Sequence, residues 1–270
     1  MIENPRSPRV RRVAKLAKKS ERQATGAFLL EGPQALREAL LYRPELLVDI
    51  FATPAALERH RDIAQLLRDH DREAELITDE VLASMADTVS PQGVIAVCRM
   101  FPVSAREIFA AGPKLIAVLQ EIRDPGNAGT ILRAADAAGA DGVILTGNSI
   151  DVYNPKVVRS TTGSLFHVPV AVLPEAAEVA ALCAEYGLQF IAADVAGEDL
   201  AEARSDGSLR RPTAWLFGNE ARGLDDEVRA LADRSLRVPS YGSAESMNLA
   251  TAASVCLYES AFELRSGSAG

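Results

Sequence analysis

Six short apolar runs in the second half of the chain set the strongest limit on its fold. They are LIAVLQ (115–120), GVILTG (142–147), HVPVAVL (167–173), LQFIAAD (188–194), TAWLF (213–217) and SLRVPS (235–240). Most show little polar alternation, so both faces of each strand need cover. Helical patterns fall between most of them: GTILRAADAAG (129–139), PEAAEVAALCAEYG (174–187), LDDEVRALAD (224–233) and MNLATAASVCLYESAFELR (247–265). This order predicts a parallel sheet with helices on both sides. Upstream, FLLEG (28–32), LLVDIFA (46–52), AELIT (74–78) and GVIAVCR (93–99) read as strands. Helices are expected over 33–42, 54–70 and 79–87, which gives a small α/β sandwich. The chain is therefore expected to be α/β throughout. It divides into a basic arm (1–22), a small domain (23–99), a linker with two prolines and a glycine (100–114), a larger domain (115–265) and a disordered tail (266–270).

Charge is unevenly spread. The net charge of the 270 residues is −8. Residues 1–22 nevertheless hold eight Lys and Arg against Glu3 and Glu21, a surplus of six that leaves −14 for the rest. A basic arm on an acidic body suits a face that meets phosphate. By composition alone it is equally a solvated basic helix or a disordered tail. Cys98, Cys183 and Cys256 are odd in number and widely spaced, so neither a disulfide framework nor a zinc site is expected. His60, His70 and His167 lack metal-ligand spacing, and no metal is expected. No run approaches the roughly 18 apolar residues of a membrane span, and no apolar segment follows the basic start as in a signal peptide. The expected location is the cytoplasm.

Three loops sit where open parallel sheets bind ligands, beyond the carboxyl ends of strands. The first is QEIRDPGNAGTILRAAD (120–136), where Asn127 and Gly129 open a helix whose free amides suit an anion or polar group. Only Gly126 and Gly129 are present, so the dinucleotide fingerprint is not met. The second is FGNEARG (217–223), small residues around one carboxylate, which also reads as an ordinary strand-to-helix turn. The third is VPSYGSAESMNLATAASVCLYE (238–259), where Ser246 is expected to cap a largely apolar helix. Asn248, a mediocre helix former, stands out there.

Together, in this order, the loops resemble the three signature motifs of the SpoU/TrmH family of RNA ribose 2′-O-methyltransferases. Asp124, Pro125, Asn127, Gly129 and Arg133 match the first motif. Gly218, Asn219, Glu220 and Gly223 match the second, and Pro239, Ser246 and Asn248 the third. Met247, Leu249 and Ala250 depart from the third motif. The stretch 153–170 resembles the segment after the first motif, and 4–32 with 90–97 the substrate-binding domain of longer members. The resemblance implies a C-terminal trefoil knot, which general topology rules would not suggest. It also implies a homodimer and an S-adenosylmethionine pocket at Phe217, Gly218, Val238, Ser246 and Met247. Asn127, Arg133, Glu220 and Asn248 would be catalytic. A guanidinium is a poor base, so Arg133 is expected to fix a phosphate and stabilise the developing alkoxide, with Glu220 and Asn248 orienting it. Arg9, Arg11, Arg12, Lys15, Lys156 and Arg159 would contact RNA phosphates. Ribosomal RNA is the favoured substrate. Transfer RNA, and a non-catalytic RNA-binding protein keeping the fold, are the alternatives. A nicotinamide oxidoreductase is disfavoured by the missing glycine fingerprint.

Overall fold

A computed structural model describes residues 1–244 and 246–266. The chain forms two compact units. One comprises 1–101 and 151–167, the other 102–150 and 168–270.

The first unit begins with α1 (Pro8–Lys15) and α2 (Lys19–Thr25). Ser7 caps α1 by accepting from the Val10 amide. Then follow β1 (Ala27–Glu31), α3 (Pro33–Tyr42), β2 (Leu47–Ala52), α4 (Pro54–Arg59), α5 (Arg61–Asp69), β3 (Glu75–Leu76), α6 (Asp79–Met85) and β4 (Val94–Arg99). The sheet order is β1-β4-β2-β3, with β4 antiparallel to β1 and β2, and β3 parallel to β2. The helix expected over 54–70 is two helices, because the chain leaves helical geometry at His60.

The arm expected at 1–22 is part of this unit's core. Val10, Val13 and Leu16 pack with Leu29, Phe51, Ile77, Val81 and Ile95. The physical reason is the apolar stripe of α1, which gains more from burial than from solvation. Arg22 is 1% exposed. Its guanidinium donates to the carbonyls of Leu16 (2.9 Å) and Ala17 (2.8 Å) and to Asp151 Oδ2 (3.0 and 2.6 Å).

The second unit opens with α7 (Ala105–Ala110), inside the stretch expected to be a linker. Ser104 and Glu107 form a capping box, and Ala105, Ile108 and Phe109 join the core. The prolines and glycine only flank this helix. Next come β5 (Leu115–Gln120), α8 (Pro125–Ala138) and β6 (Gly142–Thr146). Helix α8 starts four residues earlier than expected, with Asp124 accepting from the Asn127 amide at 2.7 Å and Pro125 in its first turn. The following helix, α9 (Pro155–Thr161), belongs to the first unit. It is tied there by Arg22–Asp151 and by buried Tyr153, whose hydroxyl accepts from the Phe101 amide at 3.0 Å. Burial pushes the Tyr153 phenol up to about 12.

The second unit continues with β7 (Val170–Leu173), α10 (Ala176–Tyr186), β8 (Gln189–Asp199), α11 (Leu200–Ser205), β9 (Thr213–Phe217), α12 (Asp226–Arg229), β10 (Arg234–Arg237) and α13 (Leu249–Ser266). Six strands lie in the order β10-β8-β9-β5-β6-β7, and every neighbouring pair is parallel. One face packs Ile116, Val118, Ala214, Leu216 and Phe190 with Ile108 and Phe109 of α7 and Val179 of α10. On β9 the intervening Trp215 is fully buried and donates from Nε1 to Ser260 Oγ of α13 at 2.9 Å. The doubly covered parallel sheet expected from the six apolar runs is the architecture found. Of the expected tail at 266–270, residues 267–270 lie outside the described residues.

Replacing Arg22 by Ala leaves Asp151 and two carbonyls without their donor. Breaking such a buried pair costs about 3–5 kcal/mol. The expected result is a matching fall in unfolding free energy for the first unit, read from its urea unfolding curve.

Candidate active site

Strand β5 is the point where the sheet order turns. The chain proceeds from β5 to β6 and β7 on one side, while β9, β8 and β10 lie on the other. Such a switch point opens a crevice at the carboxyl ends of the strands. Because β5 and β9 are parallel neighbours with Leu119 opposite Phe217, the loops leaving them meet. The first loop is 121–124 and the second 218–223.

The second loop is closed on itself. The main chains of Asn219 and Gly223 exchange two hydrogen bonds of 2.9 Å, and Asn219 Oδ1 accepts from the amides of Ala221 (3.0 Å) and Arg222 (3.2 Å). A side chain at Gly218 would come within 2.5 Å of the Gly223 carbonyl carbon, so the loop's own return requires glycine there. The loop is then fastened to the first. Asn219 Nδ2 donates to the Glu121 carbonyl at 2.8 Å. The Glu220 carboxylate accepts from the amides of Asp124 (3.0 Å) and Arg123 (3.3 Å). Hydrogen bonds to a charged group are worth about 1.5–3 kcal/mol, against about 1 for neutral ones, with half-exposed Glu220 at the low end.

Glu121 and Arg222 complete the join. Arg222 Nη2 donates to Glu121 Oε2 at 2.5 Å, and Arg123 lies 3.7 Å from the same oxygen. Glu121 has φ of 52°, a left-handed conformation uncommon outside glycine. Neither residue stood out in the sequence, since nothing in its spacing betrays a positive φ or a pair 101 positions apart.

The third loop enters through Asn248. Its Nδ2 donates to Asn127 Oδ1 at 3.0 Å, and its Oδ1 accepts from the amides of Ala250 (2.9 Å) and Thr251 (3.3 Å). Asn248 is thus the cap of α13, not Ser246 as expected, and the helix starts at Leu249. An asparagine amide suits this position because its oxygen caps the helix while its nitrogen remains available. That explains the poor helix former at 248.

A cavity of about 690 Å³ opens between the second and third loops. Gly218 and Glu220 line one side, Val238, Ser246 and Met247 the other, with buried Leu224 and Leu236 among its apolar walls. Asp194 and Arg229, 3.5 Å apart, also line it. Phe217, expected to line the pocket, is fully buried in the sheet and stacked on Trp215 with ring centroids 6.3 Å apart. Both faces of β9 are covered, so the Phe217 side chain packs into the core.

The remaining residues fall in two groups. Arg133 lies six residues beyond Asn127 on α8, about 9 Å along the axis. Its side chain is exposed and makes no hydrogen bond or ion pair among the described residues. The structure therefore joins Asn127, Asn248 and Glu220 by hydrogen bonds, and Arg133 makes no hydrogen bond or ion pair with them among the described residues. Of the expected RNA contacts, Arg11, Arg12, Lys15 and Lys156 are exposed, with no ion pair among the described residues. Arg9 pairs with Asp49 (2.7 Å) and Glu75 and lies 5.2 Å over the Phe51 ring. Arg159 pairs with Glu31 (2.8 Å) and Asp87 (2.9 Å). Both serve the fold of the first unit.

The three cysteines are free and buried, and burial pushes Cys183 and Cys256 up to about 12 and raises Cys98 as well. Among the described residues no cluster of His, Cys, Asp and Glu could hold a metal, and no helix is long and apolar enough to cross a membrane.

Comparison with known proteins matches this arrangement to one family. The sequence profile of the SpoU rRNA methylase family fits residues 114–258. The chain belongs to that family. The MRM3-like substrate binding domain fits residues 7–96. The chain is 33% identical over 261 residues to the 23S rRNA (guanosine(2553)-2′-O)-methyltransferase RlmP of Bacillus subtilis, spanning 95% of this chain and 97% of RlmP. It is 32% identical over 262 residues to the 23S rRNA (uridine(2479)-2′-O)-methyltransferase of Streptomyces viridochromogenes, spanning 94% and 89%. Among solved structures, the SpoU methyltransferase AviRb from Streptomyces viridochromogenes in complex with the cofactor AdoMet superposes with a TM-score of 0.83 at 29% identity, covering 97% and 100% of the two chains. The AdoMet-bound rRNA methyltransferase from Sinorhizobium meliloti gives 0.81 at 27%, covering 97% of each.

Asn219→Ala removes both the tie to Glu121 and the acceptor inside the second loop. Amide exchange over 121–124 and 218–224 is expected to speed up about tenfold, equivalent to 1.4 kcal/mol. Hydrogen–deuterium exchange mass spectrometry reads it, with the first unit as the internal control.

Proposed function

We infer that this protein is an S-adenosylmethionine-dependent methyltransferase that acts on a ribose 2′-hydroxyl of RNA, with ribosomal RNA as the substrate class. The observation that carries the reading is the meeting of three distant loops, 121–127, 218–223 and 238–248, in a member of the SpoU rRNA methylase family. The cavity suits the cofactor. Its volume falls in the range of small-molecule pockets, about 300–1,000 Å³. Its walls combine apolar Leu236, Val238 and Met247 with the open main chain at Gly218. Bound there, S-adenosylmethionine supplies a methyl group already activated by the sulfonium charge.

The protein's own work is then alignment and charge stabilisation. Glu220 and Asn219 hold the first and second loops in register. Asn248 and Asn127 fix each other and present amide groups beside the cavity. Arg133 acts as a fixed cation that steadies a substrate phosphate and the alkoxide forming at the 2′-oxygen. Arg133 is exposed and makes no hydrogen bond to these residues among the described residues, which supports a homodimer in which a second copy completes the site. Helix α13 offers apolar surface for such a contact: Tyr258 and Phe262 are exposed, with ring centroids 5.6 Å apart. The reading also includes the trefoil knot and the cytoplasmic location expected from the resemblance. In support of the knot, the chain leaves edge strand β10 and returns through α13 to pack on β9 and β5. Arg11, Arg12, Lys15 and Lys156 contact RNA phosphates.

The test is transfer of labelled methyl from S-adenosylmethionine to ribosomal and transfer RNA, with mapping of the alkali-resistant linkage. Methylation confined to transfer RNA would refute the substrate class. Arg133→Ala is expected to lower turnover at least about a hundredfold while cofactor affinity, measured by calorimetry, holds. Joint replacement of Arg11, Arg12 and Lys15 by Ala is expected to reduce the slope of log affinity against log salt by about two to three. An unchanged slope would remove the basic helix from the RNA interface.

A further inference from the structure

We propose that the first unit carries a separate pocket for one unpaired nucleobase of the RNA, presenting a carbonyl next to a ring N–H, as guanine and uracil do. The proposal rests on the RNA substrate inferred above. The pocket is a second cavity, of about 290 Å³, formed wholly within this unit where the start of α3, the loop 88–92 and α9 come together.

Its lining is of three kinds. Ala35 and Val94 are buried apolar walls. The start of α3 supplies donors. Its cap is Gly32, which has no side chain to offer, so the amides of Gln34 and Ala35 make no hydrogen bond among the described residues. Gly32 also leaves room, with φ of 97° and Gln92 Oε1 3.4 Å from where a Cβ would stand. The third kind is an acceptor. The Glu31 side chain is 4% exposed and accepts from the amides of Asp87 and Thr88 (3.3 Å each) and from Arg159 (2.8 Å). A carboxylate has about four acceptor positions, so one remains.

Charge decides against a phosphate. Among the described residues Arg159 is the one cation lining the cavity, and it is already matched by Glu31 and Asp87, which leaves this cluster at −1. A neutral, flat heterocycle fits better. Its faces meet Ala35 and Val94, its carbonyl takes the amides of α3, and its ring N–H meets Glu31. Val89, wholly exposed between the lining residues Thr88 and Ser90, offers an apolar contact to a neighbouring base. Single-stranded bases splayed out in this way are the usual carriers of sequence information in RNA.

Ser90→Trp fills the mouth from an exposed loop, and Gln92→Ala removes the side chain over Gly32. Both variants of the full-length protein are tested on a 23S rRNA transcript by filter binding and by methyl-transfer kinetics. RNA affinity is expected to fall about tenfold or more in Ser90→Trp and by a smaller factor in Gln92→Ala, appearing in KM. Cofactor affinity and the urea midpoint report that each variant is folded. In parallel, transcripts carrying 4-thiouridine or 6-thioguanosine are photocrosslinked to the unaltered protein and the modified peptides mapped. A crosslink within 31–35 or 88–94 supports the pocket, and the transcript that gives it tells uracil from guanine. RNA affinity held within about twofold in both folded variants, or no crosslink to these peptides from either transcript, overturns the proposal. If the unaltered protein methylated no RNA, the functional reading would fail, while binding and crosslinking would still decide the pocket.

Discussion

The catalytic unit depends on two parallel strands lying side by side. β5 and β9 are adjacent in the sheet though almost a hundred residues apart in sequence, and their carboxyl ends finish level. Parallel pairing forces both following loops to the same edge, where each has main-chain groups with no strand partner. Glu220 and Asn219 answer that need reciprocally, one carboxylate taking two amides of the opposing loop and one amide meeting its carbonyl. The cavity wall at 218–223 exists in this shape because of those bonds. Glu121 itself, whose backbone is held at a conformation that few side chains adopt, is bonded at its carbonyl by Asn219 and at its carboxylate by Arg222.

The arginines show how similar side chains divide between folding and function. On the two short helices that open the chain, Arg9 of α1 lies on an aromatic ring between two carboxylates and Arg22 of α2 is buried in a hydrogen-bonded pair. Arg11, Arg12 and Lys15 of α1 are exposed. Buried or paired guanidinium groups are costly to free, so only the unpaired ones are available to a polyanion. A count of positive charges in the sequence overstates the electrostatic footprint for this reason.

Much of the architecture was legible because it rests on apolar runs. Strands β5 and β9 fall where LIAVLQ and TAWLF place them, and α3 covers the whole of 33–42. Errors came where a polar cue outweighed packing. The prolines around 100–114 hid a capped helix, although Ser104 and Glu107 carry its signature. The basic residues of 1–22 concealed the buried stripe of Val10, Val13 and Leu16. In the site, Asn127, Glu220 and Asn248 could be picked out in suitable loops, and Asn219 only through its match to the second motif. Their actual bonds could not, since each partner lies across a strand pairing or a helix start that only folding creates. Phe217 is buried in the sheet, and the cavity lining starts at the next residue, Gly218.

Residues 151–167 complete the first unit although 49 residues of the second, 102–150, precede them in the chain. Arg22 waits for Asp151, 129 positions later, its ion-pair partner among the described residues. On a translating ribosome, the amino-terminal portion therefore cannot mature in simple order of synthesis. It emerges early, stays unfinished while β5, α8 and β6 are made, and closes only after more than half of the polypeptide is out. Biogenesis of the two units is thereby interlaced, and severing the gene between them would yield neither whole.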